Sequence, residues 1–238
     1  MRQAGAILVE AMAEAKRLLE PGVTTAFLDQ EVEKFVLARG GELLFKGYRG
    51  FPASTCISID EEVVHGIPGR RRVQAGDIVS IDIGVKYQGW CADAARTFAV
   101  GDVTDEKTRL IETARGALAA GVESLRPSMK LVEVSKAVQD YVEARGFSVV
   151  RTYVGHGIGR KMHEEPQVAN FVDGSVRQAT TVLPAGCVLA IEPMVNAGTY
   201  EVETLANGWT VVTADRRPSA HWEDTVAITE DGPVIVTA

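Results

Sequence analysis

Two aspartates near the middle of the chain have the type and spacing of a metal-binding pair. Asp82 interrupts an otherwise apolar run, and Asp93 follows in a second run, with Gln88 and Gly89 between them as turn residues. This pattern predicts a β-hairpin. Both aspartates are equidistant from a centre between Tyr87 and Gln88, so we expect them to be directly opposed on one face, with Cβ atoms about 5 Å apart. Opposed like charges repel and a lone carboxylate among apolar residues is costly, so a divalent cation between the two would resolve both problems. The alternative is that the acids lie on a solvated rim or pair with Arg96.

The surrounding pattern repeats along the chain. The segment VQAGDIVSID (73–82) matches LPAGCVLAIE (183–192), which makes Glu192 the counterpart of Asp82. An earlier stretch, 19–40, matches 125–146 at a constant offset. Repetition of this kind predicts a duplicated α/β unit. We therefore expect two pseudo-twofold-related halves, about 1–100 and 101–238, in a single catalytic domain.

Each half supplies a second acid from a later strand, Asp93 in the first and Glu223 in the second. Four carboxylates that share a pocket cannot all stay ionised without cations. The best imidazole candidate is His156 in GHGIG, where the flanking glycines let the backbone turn tightly and approach a ligand. Carboxylates with an imidazole favour Mn, Fe(II), Co or Zn, and five ligands suit two metal ions about 3.5–4 Å apart that activate a water for hydrolysis.

The elements that must position these residues follow from periodicity and turn signals. Helical spacing predicts helices over 2–19, 25–39, 105–124 and 132–145, the second ending at Gly40-Gly41. Besides the hairpin, strands are predicted near 54–58, 147–153, 188–192, 209–213 and 221–228, with a last hairpin turning at Asp231-Gly232. Helices alternating with strands indicate a mixed α/β (α+β) fold.

Composition excludes several classes of function. The 238 residues carry a formal net charge of −7, which argues against a nucleic-acid or anionic-membrane binder. No run of residues approaches the roughly 20 apolar residues of a membrane span. The three cysteines are far apart and form no CxxC, which predicts reduced thiols in the cytoplasm.

The sequence gives little support to other catalytic mechanisms or to nucleotide binding. The sequence contains no GxSxG elbow and no GK[ST] phosphate loop. GHGIGR resembles a dinucleotide loop, yet Pro166 follows where a helix would have to begin. Cys56 and His65 could form a thiol dyad, although a buried structural cysteine is the commoner case.

Five separated motifs together resemble the type I methionine aminopeptidases. They are TCISIDEEVVHGIP (55–68), the Asp82 and Asp93 pair, GHGIGRKMHEEP (155–166), IEPMV (191–195) and Trp222-Glu223. The resemblance covers nearly the whole chain and implies the pita-bread fold, in which two related α/β halves with a curved antiparallel sheet covered by helices enclose a dinuclear metal site. It also implies cytoplasmic excision of N-terminal methionine, with a small second residue favoured.

The resemblance also implies roles for individual residues. The metal ligands would be Asp82, Asp93, His156, Glu192 and Glu223, of which Asp93 and Glu223 would bridge the two ions. The catalytic residues would be His65, His163 and Glu192, with the two histidines contacting substrate and either Glu192 or a bridging carboxylate moving the proton. The methionine pocket would be formed by Phe45, Tyr48, Phe51, Cys56, His65, Met162 and Trp209, and His163 would complete the substrate-binding residues. His221, beside the Glu223 strand, is expected to be structural.

Two alternatives to this function stay open from the sequence. An Xaa-Pro dipeptidase or aminopeptidase of the same fold usually carries an additional N-terminal domain, whereas this sequence opens on the first predicted helix. A metal-free binding protein of the same fold would have lost ligands, and all five are present. The partners implied are the N-termini of nascent polypeptides, with the ribosome nearby, and the chain is expected to act as a monomer.

Overall fold

A computed structural model of the chain describes residues 1–238. Its first hundred residues contain two helices, a single 3₁₀ turn at Tyr48–Gly50 and five strands. In chain order these are α1 (Arg2–Leu18), α2 (Thr25–Ala38), β1 (Glu42–Leu43), β2 (Cys56–Ile59), β3 (Glu62–Val64), β4 (Ile78–Tyr87) and β5 (Trp90–Ala99). The side chain of Thr24 caps α2, and Gly40 follows that helix with a φ of 73°. The predicted helices over 2–19 and 25–39 are thus confirmed to within one residue.

The remainder of the chain contains three helices and twelve strands. They are α3 (Asp105–Ser124), β6 (Met129–Lys130), α4 (Leu131–Glu143), β7 (Ser148–Val149), β8 (Gly155–Gly157), β9 (Glu164–Val168), α5 (Val176–Thr180), β10 (Val182–Leu183), β11 (Val188–Ile191), β12 (Met194–Asn196), β13 (Val202–Thr204), β14 (Val211–Thr213), β15 (Ser219–His221), β16 (Asp224–Thr229) and β17 (Gly232–Ile235). The helix predicted over 105–124 is confirmed at both ends, and α4 lies within one or two residues of its prediction. None of the five helices is both long and apolar enough to span a membrane.

All the strand pairs are antiparallel. In the first half β4 pairs with β5 along its whole length and with β1 and β2 on its other edge. In the second half the strand order is β17-β16-β11-β8-β9. Three small sheets, β15-β12-β7, β13-β14-β3 and β10-β6, complete the structure. Antiparallel sheets covered by helices confirm the predicted mixed α/β class, whereas the division near residue 100 stays a prediction.

The helices cover the outer face of each central sheet. Leu8 on α1 and Leu28 on α2 are fully buried against Ile81 and Ile83 of β4. In the second half, Leu118 of α3 and Val134 of α4 are buried in one cluster with Leu189 and Ile191 of β11. Apolar burial on this scale is the main stabilising contribution to the fold. It leaves the opposite face of each sheet for polar residues.

Candidate metal centre and substrate pocket

The β4–β5 hairpin places Asp82 and Asp93 on one face, but not opposite each other. Asp82 pairs with Ala95, and Asp93 pairs with Gly84. The prediction of direct opposition is therefore wrong. The two-residue turn is centred on Gln88-Gly89, both with positive φ (49° and 78°), and this centre lies one residue later than expected. The resulting offset of two residues keeps both side chains on the same face as diagonal neighbours, because side chains alternate with a period of two.

Glu223 reaches this face across a seam between the two halves. Its backbone N–H donates to the carbonyl of Ala95 over 3.0 Å. A threonine hydroxyl lies on each side of this hydrogen bond, where a backbone–backbone hydrogen bond would otherwise be expected. The Thr225 hydroxyl bonds the backbone N–H and carbonyl of Asp93, and the Thr97 hydroxyl bonds those of His221. The seam is thus an antiparallel register that fixes Asp93 beside Glu223.

His156 lies on β8, and Glu192 directly follows β11, the neighbouring strand of the same sheet. His156 on β8 pairs with Ala190 on β11, and the Nε2 atom of His156 lies 3.6 Å from Oε1 of Glu192. Nδ1 of His156 lies 2.9 Å from the Gly157 carbonyl oxygen, to which it can donate only as N–H. The neutral ring therefore presents the lone pair of Nε2 to the site, as a metal ligand requires.

The glycines beside His156 serve a different purpose from the one predicted. Gly155 and Gly157 lie within a strand and do not adopt positive φ. A Cβ atom at Gly155 would overlap the carbonyl oxygen of Ala190, and one at Gly157 would overlap that of Glu165. The absence of a Cβ atom at these two positions allows β8 to pack closely between β9 and β11. The tight turn expected at these glycines is absent.

A cavity of about 370 Å³ brings the predicted residues together. Its lining contains every predicted metal ligand, catalytic residue and pocket residue: Phe45, Tyr48, Phe51, Cys56, His65, Asp82, Asp93, His156, Met162, His163, Glu192, Trp209 and Glu223. Ligand atoms of Asp93, His156 and Glu223 lie within 4.8 Å of one another, and all three residues are buried. Asp82 and Glu192 line the same cavity outside this tight group.

Burial dominates the electrostatics of the cluster. It raises the pKa of Asp82 to about 7 and that of Asp93, Glu192 and Glu223 well above the ordinary carboxyl range, with repulsion from neighbouring acids adding to the effect on the last three. Burial lowers the pKa of His156 to about 4, so the imidazole is neutral. A nearby positive charge stabilises the ionised form of buried acids that repel one another.

The donor set fits a divalent metal. Oδ1 of Asp82 and Oδ1 of Asp93 are buried and have no hydrogen-bond partner. Buried polar atoms are normally paired, so two unpartnered carboxylate oxygens on residues that share a cavity with further acids indicate a cation site. The predicted alternatives are wrong for Asp93, and neither acid pairs with Arg96. Asp93 is 4 % exposed, which excludes a solvated rim, and Arg96 bonds Asp224 over 2.6 Å.

Two further histidines stand at the edge of the cluster. His65 has a φ of 58°, a strained conformation for a residue with a side chain. Burial, with a smaller contribution from His163, lowers its pKa to about 4. The ring of His163 lies 4.2 Å from that of His156, and its Nδ1 lies 3.0 Å from the Tyr48 hydroxyl.

Apolar and aromatic side chains form the rest of the cavity. Phe45, Phe51, Cys56 and Met162 are buried in one cluster with Ala53, and Tyr48 and Trp209 pack against it. The rings of Phe51 and Trp209 meet edge to face at 5.2 Å. Burial raises the pKa of the Cys56 thiol well above its usual value. Cys56 is therefore a pocket wall and lacks the thiolate character that a dyad with His65 would need.

His221 lies at the site, although a structural role was predicted for it. The side chain is 2 % exposed, and its Nε2 atom lies 3.8 Å from Oε2 of Glu192. Burial lowers its pKa to about 3. The available signal was its position two residues before Glu223, because alternate residues of an extended segment share a face.

A second network that the sequence did not indicate lies beneath Glu223. Arg96 donates to the backbone carbonyl of Glu223 and to the carboxylate of Asp224. The Thr237 hydroxyl donates to the same Asp224 oxygen over 2.7 Å. This partly buried ion pair connects the last residues of the chain to the segment between β15 and β16 that carries Glu223.

Comparison with known proteins agrees with this geometry. Residues 1–230 match the family model of Metallopeptidase family M24. A methionine aminopeptidase of Clostridium perfringens is 51 % identical over 237 residues, which cover 100 % of this chain and 94 % of that protein.

Solved structures give the same result. The crystal structure of a methionine aminopeptidase from Thermotoga maritima superposes with a TM-score of 0.95 at 40 % identity, covering 100 % of this chain and 94 % of the other. A prolidase from Pyrococcus furiosus superposes with a TM-score of 0.79 at 23 % identity, covering 100 % of this chain and 62 % of the other. The prolidase likeness shows the fold alone. The pita-bread arrangement is thus confirmed.

Proposed function

The chain belongs to metallopeptidase family M24, and from this premise we propose that it removes the N-terminal methionine of polypeptides by hydrolysing the first peptide bond. The observation that carries the proposal is the adjacency of two features in one cavity. Ligand atoms of Asp93, His156 and Glu223 converge within 4.8 Å beside an apolar pocket built from aromatic and sulfur-containing side chains. Such a pocket suits a methionine side chain.

We assign the metal ligands to Asp82, Asp93, His156, Glu192 and Glu223. Family membership implies a divalent metal, and the number of clustered acids supports two ions, drawn from Co, Mn, Fe(II) and Zn. In this proposal Asp93 and Glu223 would be the ligands shared by the two ions. When bound, divalent ions lower the pKa of water and polarise the scissile carbonyl.

The chain's own residues then orient the peptide and move the proton. The pocket residues hold the methionine side chain, while Glu192 accepts the proton of the attacking water and returns it to the leaving nitrogen. His163 can receive a hydrogen bond at Nδ1 from the Tyr48 hydroxyl, 3.0 Å away. Its neutral ring would then carry the proton on Nε2, and we assign this N–H to the oxygen that becomes negative at the scissile carbonyl. We assign His65, which shares the cavity, to contact with the substrate.

The remainder of the polypeptide needs a path out of the site. A groove of about 580 Å³ adjoins the cavity and shares Tyr48, His156, His163 and Gln167 with it. We propose that the chain beyond the second residue leaves through this groove. We further propose that its partners are the N-termini of nascent polypeptides in the cytoplasm, close to the ribosome, and that the enzyme acts as a monomer.

A peptide series tests the activity. The purified enzyme, supplied with Mn²⁺ or Co²⁺, should release methionine from Met-Ala-Ser and Met-Gly-Ser and act poorly on Met-Leu-Ser, Leu-Ala-Ser and Pro-Ala-Ser. Equal rates across the series would remove the methionine assignment. Leu-Pro is added to the series to test the dipeptidase alternative, which preferential cleavage of Leu-Pro would favour.

A further inference from the structure

The carboxylate of Glu192 lies between two imidazoles. Nε2 of His156 is 3.6 Å from its Oε1, and Nε2 of His221 is 3.8 Å from its Oε2. The Glu192 backbone is fixed, because its carbonyl accepts a hydrogen bond from Asn170 Nδ2 over 3.1 Å. Its carboxylate makes no hydrogen bond within the protein. The orientation of the group that handles the proton therefore depends on its two imidazole neighbours.

His221 is held firmly in its place. Its backbone N–H donates to the Thr97 hydroxyl over 2.8 Å, that hydroxyl donates to its carbonyl over 2.9 Å, and it pairs with Met194 across β12 and β15. The side chain is 2 % exposed, and its Nε2 atom has no hydrogen-bond partner. A buried ring nitrogen without a partner is unusual and, when it carries the proton, calls for an acceptor. The Glu192 carboxylate is the acceptor it faces.

We propose that His221 is a positioning residue, whose Nε2–H orients the Glu192 carboxylate for metal binding and proton transfer. The inference rests on the proposed function and extends it to a residue outside the ligand set. With Oε2 directed to His221, Oε1 is left facing His156 and the metal cluster. A partner behind a metal ligand typically changes metal affinity or activity about 10–100-fold.

Two variants of His221 separate positioning from packing. His221→Met fills a similar space without a donor, whereas His221→Gln keeps an N–H near the position of Nε2. Ser219→Ala is the matched control, since Ser219 is buried on the same strand and bonds Asn196 over 2.8 Å, away from Glu192. For each protein we would measure kcat and KM on Met-Ala-Ser, Mn²⁺ affinity by calorimetry, and thermal stability.

The expected result is a kcat about 10–100-fold lower and weaker Mn²⁺ binding in His221→Met, with little change in KM. His221→Gln and Ser219→Ala should stay close to wild type. Wild-type kcat and Mn²⁺ affinity in His221→Met would overturn the proposal, as would equal losses in both His221 variants. If His221→Met does not fold, His221→Gln decides alone: near-normal kcat and affinity support the role, and a loss of either overturns it. Inactive wild-type enzyme would instead refute the proposed function.

Discussion

The hydroxyl of Thr225 satisfies both backbone polar groups of Asp93. The Asp93 N–H donates to it over 2.9 Å, and it donates in turn to the Asp93 carbonyl over 2.8 Å. Because Thr225 lies two residues after Glu223, this contact fixes an acid of the first half against an acid of the second. The arrangement explains how two carboxylates far apart in sequence are held at one point.

Removing that hydroxyl should disturb both stability and activity. In Thr225→Val the buried N–H and carbonyl of Asp93 lose their partner, which should lower the free energy of unfolding by about 1–3 kcal/mol. A displacement of Asp93 by about 1 Å could reduce kcat about 100-fold. Urea unfolding and steady-state kinetics measure both effects, with Thr225→Ser as the variant that keeps the hydroxyl and Thr229→Val as the control on the same strand. If Val and Ser variants behave alike, the hydroxyl does not position Asp93.

The two acids themselves should be needed for metal binding. Asp93→Asn and Glu223→Gln keep the side-chain shape but remove a negative charge, so turnover should fall to background and metal content should drop. Elemental analysis of the purified variants, beside Asp231→Asn at an exposed turn, measures this. Two full metal equivalents with normal turnover in either variant would contradict the bridging role.

How much of this site the sequence predicts is clearest at its first hairpin. Alternation of side chains along the strands correctly predicts that Asp82 and Asp93 lie on one face, because this depends only on the offset between them being an even number of residues. Gln88 and Gly89 are also the predicted turn residues, but the exact partners follow from a centre between these two residues, one position later than the centre used to predict direct opposition. The local pattern therefore identifies the face, while the turn geometry decides the register.

Long-range packing accounts for the other differences. The glycines around His156 are visible in the sequence, but their need comes from the carbonyl groups of Ala190 and Glu165 on neighbouring strands. His221 likewise gains its significance from Glu192, 3.8 Å away and 29 positions earlier in the chain. Local periodicity reveals neither relationship, because each depends on how strands distant in sequence are ordered within a sheet.

His163 should affect turnover without affecting metal binding. It lies outside the group of clustered ligand atoms, and its Nδ1 faces the Tyr48 hydroxyl. His163→Ala should lower kcat about 10²–10³-fold through loss of a donor to the developing negative charge. Tyr48→Phe should have a smaller effect in the same direction. Parallel kinetics and elemental analysis test this, and loss of metal from His163→Ala would make it a ligand.

His65 should make stability depend on pH. Burial lowers its pKa from about 6.5 to about 4. As pH falls from 6.5 to 4 the unfolded chain binds a proton that the folded protein does not, so His65 contributes a loss of stability on acidification. His65→Gln cannot titrate. The stability of wild type relative to this variant should therefore decrease by up to about 3 kcal/mol over that range. Urea unfolding at a series of pH values measures the difference, and a constant difference would show that His65 titrates normally.

Metal removal and reconstitution test the central claim most directly. After chelation, methionine release from Met-Ala-Ser should stop, and titration with Co²⁺, Mn²⁺, Fe²⁺ or Zn²⁺ should restore it, with binding saturating at two ions per chain. The Asp93→Asn variant should not recover under the same titration. Full methionine release by the metal-free protein, or equal recovery by Asp93→Asn, would contradict the assignment of this cluster as the catalytic metal centre.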